Sequence, residues 1–252
     1  MFSIIRERLR QGYRTSDFPR REPKMMERFR GVPIINAGKC VAECDACVNN
    51  CPHGAMTRTE QGPTVDLGRC LFCADCSVCP HQGAMEPGND YRLAASSRKD
   101  LLMDREGPHL AKALNKKMLA LFGRSLKLRL VSAGGCNGCE ADLNVLGTLV
   151  YDLGRFGIQF VASPRHADGL IVTGPVTENM RAALLATYEA MPAPKLVIAA
   201  GACAISGGAY RDEGEVHNGV TDLLPVDLFI PGCPPHPYTT LDGLLRMLDK
   251  RG

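Results

Sequence analysis

Leu130-Val131-Ser132-Ala133-Gly134-Gly135-Cys136-Asn137-Gly138-Cys139-Glu140 is a hydrophobic run that ends in a glycine turn and opens onto a C-x-x-C. Alone, a C-x-x-C is compatible with half a zinc site, a dithiol redox pair or half of an iron–sulfur site. Its setting narrows the choice. A strand that runs out into glycines just before a helix marks the edge of an open α/β sheet, where ligands bind. From residue 125 the same pattern repeats. Leu126–Ser132, Ile158–Ala162, Gly169–Thr173, Leu196–Ala200 and Val226–Ile230 read as short apolar strands. Glu140–Leu153, Glu178–Ala190 and Tyr238–Leu248 read as helices. This alternation predicts a parallel sheet covered on both faces. Right-handed crossovers then bring every strand C-terminus to one edge.

That edge collects cysteines. Cys136 and Cys139 follow the first strand, Cys203 follows Leu196–Ala200, and Cys233 follows Val226–Ile230 within Pro231-Gly232-Cys233-Pro234-Pro235. Four thiolates make a closed set suited to [4Fe–4S] or zinc. Glycines beside them, among them Gly138, Gly201, Gly208 and Gly232, allow close backbone approach and offer N–H groups to sulfur.

The other eight cysteines form an internal repeat. The first block is Cys40-x3-Cys44-x2-Cys47-x3-Cys51-Pro52-His53, and the second is Cys70-x2-Cys73-x2-Cys76-x2-Cys79-Pro80-His81. Between them, Pro63–Gly68 reads as a strand ending in a turn. Doubled blocks closing on Cys-Pro match the two-cluster ferredoxin pattern, in which the fourth cysteine of each block crosses to the other cluster. The pattern assigns Cys40, Cys44, Cys47 and Cys79 to one cluster, and Cys70, Cys73, Cys76 and Cys51 to the other. Spacing departs from the pattern by one residue in each block. Zinc sites are the competing reading, but zinc ligands usually come as separated pairs. Three clusters of four use all twelve cysteines.

Composition supports metals over disulfides. No secretory signal is visible and no apolar run reaches the roughly 18 residues of a membrane span, so the thiols are expected in a reducing compartment. Residues 1–30 carry nine Arg or Lys against four Asp or Glu, and residues 91–129 carry ten against three, leaving the rest of the chain acidic. Such segments suit partner docking, anionic lipid or plain solvation. Residues 1–12 predict a short amphipathic helix with Phe2, Ile5 and Leu9 on one face, facing a membrane, a partner or its own protein. No aromatic platform accompanies the basic arm, so nucleic acid is not expected. No G-x-G-x-x-G follows a strand, which argues against NAD or flavin. The expected division is a basic arm at 1–33, a two-cluster domain at 34–90, a basic helical linker at 91–124 and an α/β domain at 125–252. The linker shows helical periodicity at 101–103 and 110–122, broken by Gly107 and Pro108.

Cys136-Asn137-Gly138-Cys139-Glu140, Ser163-Pro164-Arg165-His166-Ala167-Asp168, Gly201-Ala202-Cys203 and Pro231-Gly232-Cys233-Pro234-Pro235 appear in that order. They resemble the small subunit of group 4 [NiFe]-hydrogenases, of the formate-hydrogenlyase and hydrogenase-4 type. That family is homologous to the 20 kDa subunit of complex I, NADH:quinone oxidoreductase. The complex I relative usually carries two adjacent cysteines where this chain has C-x-x-C, which favours the hydrogenase side. Residues 1–103 resemble a separate subunit of the same complexes, the two-cluster 23 kDa-like protein, through Phe29-Arg30-Gly31, Leu67-Gly68-Arg69-Cys70-Leu71-Phe72-Cys73 and Tyr91-x-Leu93-Ala94. The chain thus looks like a fusion of two neighbours.

The expected fold class is α/β, with an N-terminal α+β ferredoxin-like domain and a C-terminal flavodoxin-like parallel-sheet domain. The resemblance implies an electron-transfer subunit with three [4Fe–4S] clusters, not catalytic alone. The cluster at Cys136, Cys139, Cys203 and Cys233 would face a large subunit carrying a Ni–Fe site, or a complex I 49 kDa-like subunit if the module reduces quinone. Implied partners are membrane subunits of the same complex and an electron donor or acceptor protein, on the cytoplasmic face of the inner membrane. A stand-alone iron–sulfur carrier or sensor is the reading of another class. Glu140, at a helix N-terminus, reads by itself as a helix stabiliser, and the resemblance implies a proton relay. Arg165, His166 and Asp168 read equally as a partner contact, a cluster-tuning group or a local turn. His53 and His81 read as loop residues or as hydrogen-bond donors to cluster sulfur.

Overall fold

The computed structural model describes residues 2–41, 43–60, 62–73, 79, 81 and 83–251. Helix α1 (Phe2–Gln11) leaves Phe2, Ile5 and Leu9 exposed. The arm after it is tied to the C-terminal end of the chain. Phe18 is buried, and Arg251 reaches it by stacking its guanidinium 4.9 Å from the ring centroid. Arg251 also donates to Glu22 at 2.7 Å and to the Tyr91 hydroxyl at 3.0 Å.

The cysteine-rich part is built from short antiparallel pairs. Strand β1 (Ile34–Ile35) is followed by α2 (Ala46–Asn49), β2 (Met56–Thr59), β3 (Gly62–Asp66), β4 (Met85–Glu86) and β5 (Leu102–Met103). β1 pairs with β4, and the hairpin β2–β3 is extended by β5. The strand expected at 63–68 starts one residue early and ends at Asp66; its partner β2 has no alternating signature of its own.

The basic segment 91–124 differs from expectation. Residues 102–103 form a strand, and the helix is confined to α3 (Lys116–Phe122), which Asn115 caps by accepting the Met118 N–H at 3.0 Å. The cause is burial. Tyr91, Leu93, Ala94, Ala95, Leu101 and Met103 are all buried, so the chain runs extended to satisfy its backbone against neighbours. Ala95 exchanges both backbone hydrogen bonds with Phe229, at 3.0 and 2.9 Å. Arg92 pairs with Asp90 and Arg98 with Asp66, so part of the positive charge is internal pairing.

The C-terminal part runs β6 (Leu126–Ser132), α4 (Gly138–Val145), β7 (Ile158–Phe160), β8 (Gly169–Thr173), α5 (Glu178–Glu189), β9 (Leu196–Ala200), α6 (Ala202–Ser206), β10 (Leu228–Ile230) and α7 (Pro237–Met247). The sheet order is β10-β9-β8-β6-β7, all parallel. This is the flavodoxin-like order, with its switch point between β6 and β8. β8 and β9 are buried along their whole length, as central strands covered on both faces must be. Val65, Leu67 and Met103 from the cysteine-rich part share one buried cluster with Val131, Val172 and Ile205. At the same seam the Ser206 hydroxyl donates to the Gly68 carbonyl at 2.8 Å. Among the described residues, no helix is long and apolar enough to cross a membrane.

Asp242, fully buried in α7, accepts from Arg246 at 2.7 Å and from Arg251 at 2.6 Å. Asp242→Ala leaves two guanidinium groups without their carboxylate and is expected to cost about 3–5 kcal/mol in urea unfolding. A loss under 1 kcal/mol would contradict this role.

Candidate metal centre

At the switch point two turns cross with almost no side chain between them. A Cβ on Gly135 would lie 3.0 Å from the Gly174 Cα, and one on Gly134 would meet Thr177 at 2.4 Å. The chain then turns through Asn137, which has φ 68° and caps α4. Asn tolerates this left-handed geometry better than other non-glycine residues. Cys136 is thereby left exposed and Cys139 enters the first turn of α4, half-buried. Cys203 is buried in α6, directly after β9, and Cys233 is exposed in the loop after β10.

The four thiols share one cradle. A Cβ on Gly201, where φ is +93°, would lie 2.5 Å from the Cys139 Sγ, and one on Gly208 would lie 2.6 Å from the Cys203 Sγ. Both glycines are spaces that sulfur fills. The electrostatics agree. Burial pushes the Cys139 thiol far up, and the charges of Cys203, Glu140, Cys233 and Cys136 push it further. Cys203 is pushed up to about 11 by burial, then by Cys233, against a backbone N–H at Ala209 that lowers it. Cys233 is raised by burial and then by Cys136. Thiols that raise one another in this way ionise together only around a compensating cationic centre. Among the described residues no three His, Cys, Asp or Glu side chains converge on a single ion. The cradle holds its thiols apart, which suits a polynuclear cluster, where each thiolate meets its own iron. The donor set and the glycine cradle therefore fit [4Fe–4S].

The cysteine repeat divides into two groups. Cys47 is raised by burial, then by Cys40 and Cys79, so the last cysteine of the second block lies with the first block. Cys51, from the first block, lines an apolar cradle with Cys70 and Cys73. Backbone N–H groups reach two of these sulfurs, Ala55 to Cys51 at 3.3 Å and Phe72 to Cys70 at 3.4 Å. Cys44 sits on the turn leading into α2, and Cys76 lies outside the described residues. The carbonyl of His53 accepts from Arg211 at 3.1 Å, and that of His81 from the Cys79 thiol at 3.7 Å.

Glu140 is buried and accepts from the Thr173 hydroxyl at 2.6 Å. Thr173 was not legible as a site residue: it ends β8, and only the β6–β8 register, which sets it opposite Ser132, reveals it. Asp168 accepts from the Lys127 N–H at 2.7 Å, pinning the start of β8 to the start of β6, at the sheet edge away from the cysteine loops. Arg165 and His166 sit in the short 3-10 turn Pro164–His166 before it.

Gly201→Ala puts a methyl where the Cys139 sulfur sits. It is expected to lower iron content by about four atoms per chain relative to wild type. Gly214→Ala, whose Cβ would meet nothing within 4 Å, is expected to leave iron unchanged. Equal iron in all three proteins would contradict the cradle.

Residues 136–247 match the family described as NADH ubiquinone oxidoreductase, 20 Kd subunit. Probable membrane-bound hydrogenase subunit mbhJ of Pyrococcus furiosus is 42% identical over 142 residues, which are 55% of this chain and 85% of that protein. Formate hydrogenlyase subunit 7 of Escherichia coli is 43% identical over 136 residues, 54% of this chain and 53% of that protein, so the chain spans about half of its length. An NADH-quinone oxidoreductase subunit of Geotalea uraniireducens is 49% identical over 114 residues, 45% of this chain and 66% of that protein. The family match begins at Cys136 itself and ends within α7. Over its parallel-sheet part, the chain belongs to the NADH ubiquinone oxidoreductase 20 kDa subunit family, a hydrogenase- and complex I-type redox module.

Proposed function

We propose that the chain is an electron-transfer subunit with three [4Fe–4S] clusters, working with the Ni–Fe site of a membrane-associated group 4 hydrogenase. Cys136, Cys139, Cys203 and Cys233 would hold one cluster. Cys51, Cys70, Cys73 and Cys76 would hold the second, and Cys40, Cys44, Cys47 and Cys79 the third. Bound, each cluster supplies reversible one-electron chemistry.

The observation that carries this reading is the continuity of the sites. Arg30, Leu71 and Phe72 line both the Cys51–Cys70–Cys73 cradle and a cleft of about 360 Å³ beside Cys233. One layer of residues therefore separates the second site from the first. The protein's part is to fix the order of sites, bury the sulfurs and aim N–H groups at them. Cys136 and Cys233 are exposed at the sheet edge, so this end needs a covering partner. That favours a subunit over a free-standing carrier or sensor. The covering partner is the large subunit, with membrane subunits of the same complex on the cytoplasmic face of the inner membrane and an electron donor or acceptor protein at the ferredoxin end.

Glu140, held by Thr173 beneath Cys139, is the residue placed to carry a proton between this edge and the partner. Glu140→Gln is expected to slow proton-coupled turnover of the assembled complex while the cluster's EPR spectrum stays unchanged. Unaltered turnover would leave Glu140 as a helix stabiliser.

The second reading is a complex I-like quinone-reducing module, favoured by the family description and by the NADH-quinone oxidoreductase relatives. The C-x-x-C spacing favours the hydrogenase reading. Purifying the chain anaerobically with its natural partners separates the two. Hydrogen gas is expected to reduce the clusters, and the large subunit to bring nickel. A nickel-free complex whose clusters respond to quinol and not to hydrogen would support the second reading instead.

A further inference from the structure

The two cysteine blocks are related by a fixed offset of 29 residues: Cys44 corresponds to Cys73, Gly54 to Gly83, Ala55 to Ala84 and Met56 to Met85. The backbone keeps this equivalence. The Ala55 carbonyl accepts from Asp66 at 2.8 Å, and the Ala84 carbonyl accepts from Asn36 at 2.9 Å. Met56 pairs across to Val65 as Met85 pairs across to Ile35.

The offset also equates Glu43 and Phe72, each just before the second cysteine of its block. Both are left-handed, with φ 67° and 54°. Non-glycine residues hold that conformation only where their surroundings over-determine it. In the first block the restraint is Arg58, which donates to the carbonyl of Cys44 and to that of Val41, the latter at 3.2 Å. By the same offset Arg58 corresponds to Pro87, which has no side-chain donor. In the second block a guanidinium nevertheless does the equivalent task, and it comes from outside the repeat. Arg30 donates to the Cys73 carbonyl at 2.7 Å and lies 3.5 Å from that of Phe72. The arm runs beside Pro87, since Gly31 donates to Gly88 at 2.7 Å, and both Arg30 and Pro87 line the Cys51–Cys70–Cys73 cradle. Among the described residues lining that apolar cradle, Arg30 is the one arginine.

We propose that Arg30 is the arm-borne replacement for the second repeat's missing clamp: it positions the turn at Cys73 and sets the redox potential of the cluster held by Cys51, Cys70, Cys73 and Cys76. This rests on the ligand sets given under Proposed function. A fixed positive charge beside an apolar cradle stabilises the reduced, more negative form, so its removal lowers the potential. Docking of the arm, through Phe18 and Arg251, thereby controls one cluster of the pair and not the other.

An EPR-monitored redox titration of the full-length chain, purified anaerobically, tests this with wild type, Arg30→Gln, Arg30→Lys and Arg58→Gln. In Arg30→Gln one cluster is expected to show an about tenfold lower ratio of reduced to oxidised form at fixed potential, a 59 mV negative shift for one electron. Arg30→Lys, which keeps the charge, is expected to shift the same cluster less than half as far. Arg58→Gln is expected to shift the other ferredoxin-type cluster. Unchanged potentials in Arg30→Gln would overturn the proposal, as would a shift in the same cluster that Arg58→Gln moves. Loss of cluster iron from both Arg30 variants would overturn the charge role and leave a folding brace. A wild type without two ferredoxin-type clusters would overturn the ligand sets themselves, before any variant is compared.

Discussion

A parallel sheet ends all its strands in one direction, and that constraint makes the candidate centre possible. The four cysteines at 136, 139, 203 and 233 are far apart in the chain and reach one edge because β6, β9 and β10 all finish there. What happens at the edge is then decided by the absence of side chains. Gly201 and Gly208 vacate the space occupied by the sulfurs of Cys139 and Cys203. Sheet direction gathers the thiols, and glycine gives them room. Packed this closely and this far from water, the thiols resist ionisation, so the pocket is costly unless a cationic centre occupies it.

The strands that carry this edge were readable because burial on both faces leaves a continuous apolar run. β6, β8 and β9 fall where Leu126–Ser132, Gly169–Thr173 and Leu196–Ala200 read as strands. The pieces that escaped reading owe their form to partners. β2 exists as a strand because it pairs with β3, and 102–103 because β3 offers its other side. α6 is only five residues long and too short to show a period. The helical period at 110–115 yields to Ala111 and Leu114, whose N–H groups donate to Ala94 and Met247. At the centre, ligand candidates were legible from cysteine spacing, whereas Thr173 and the glycine cradle needed the fold, since neither residue type is distinctive.

The cysteine-rich part and the sheet are not merely tethered. One buried cluster runs through both, Ser206 and Arg211 bond across the seam, and Ala95 extends the sheet at β10. The arm is held in turn by Phe18 and Arg251 against the chain's far end, and it delivers Arg30 to the second cysteine block. A rigid seam of this kind fixes the distance between redox sites, which a flexible linker would leave to chance.

Iron and acid-labile sulfide, quantified with Mössbauer spectroscopy on anaerobically purified full-length protein, address the central claim most directly. Three four-iron clusters on twelve cysteines give roughly twelve irons and twelve sulfides per chain, with the iron in one spectral class. About four irons, or stoichiometric zinc with no sulfide, would contradict the account.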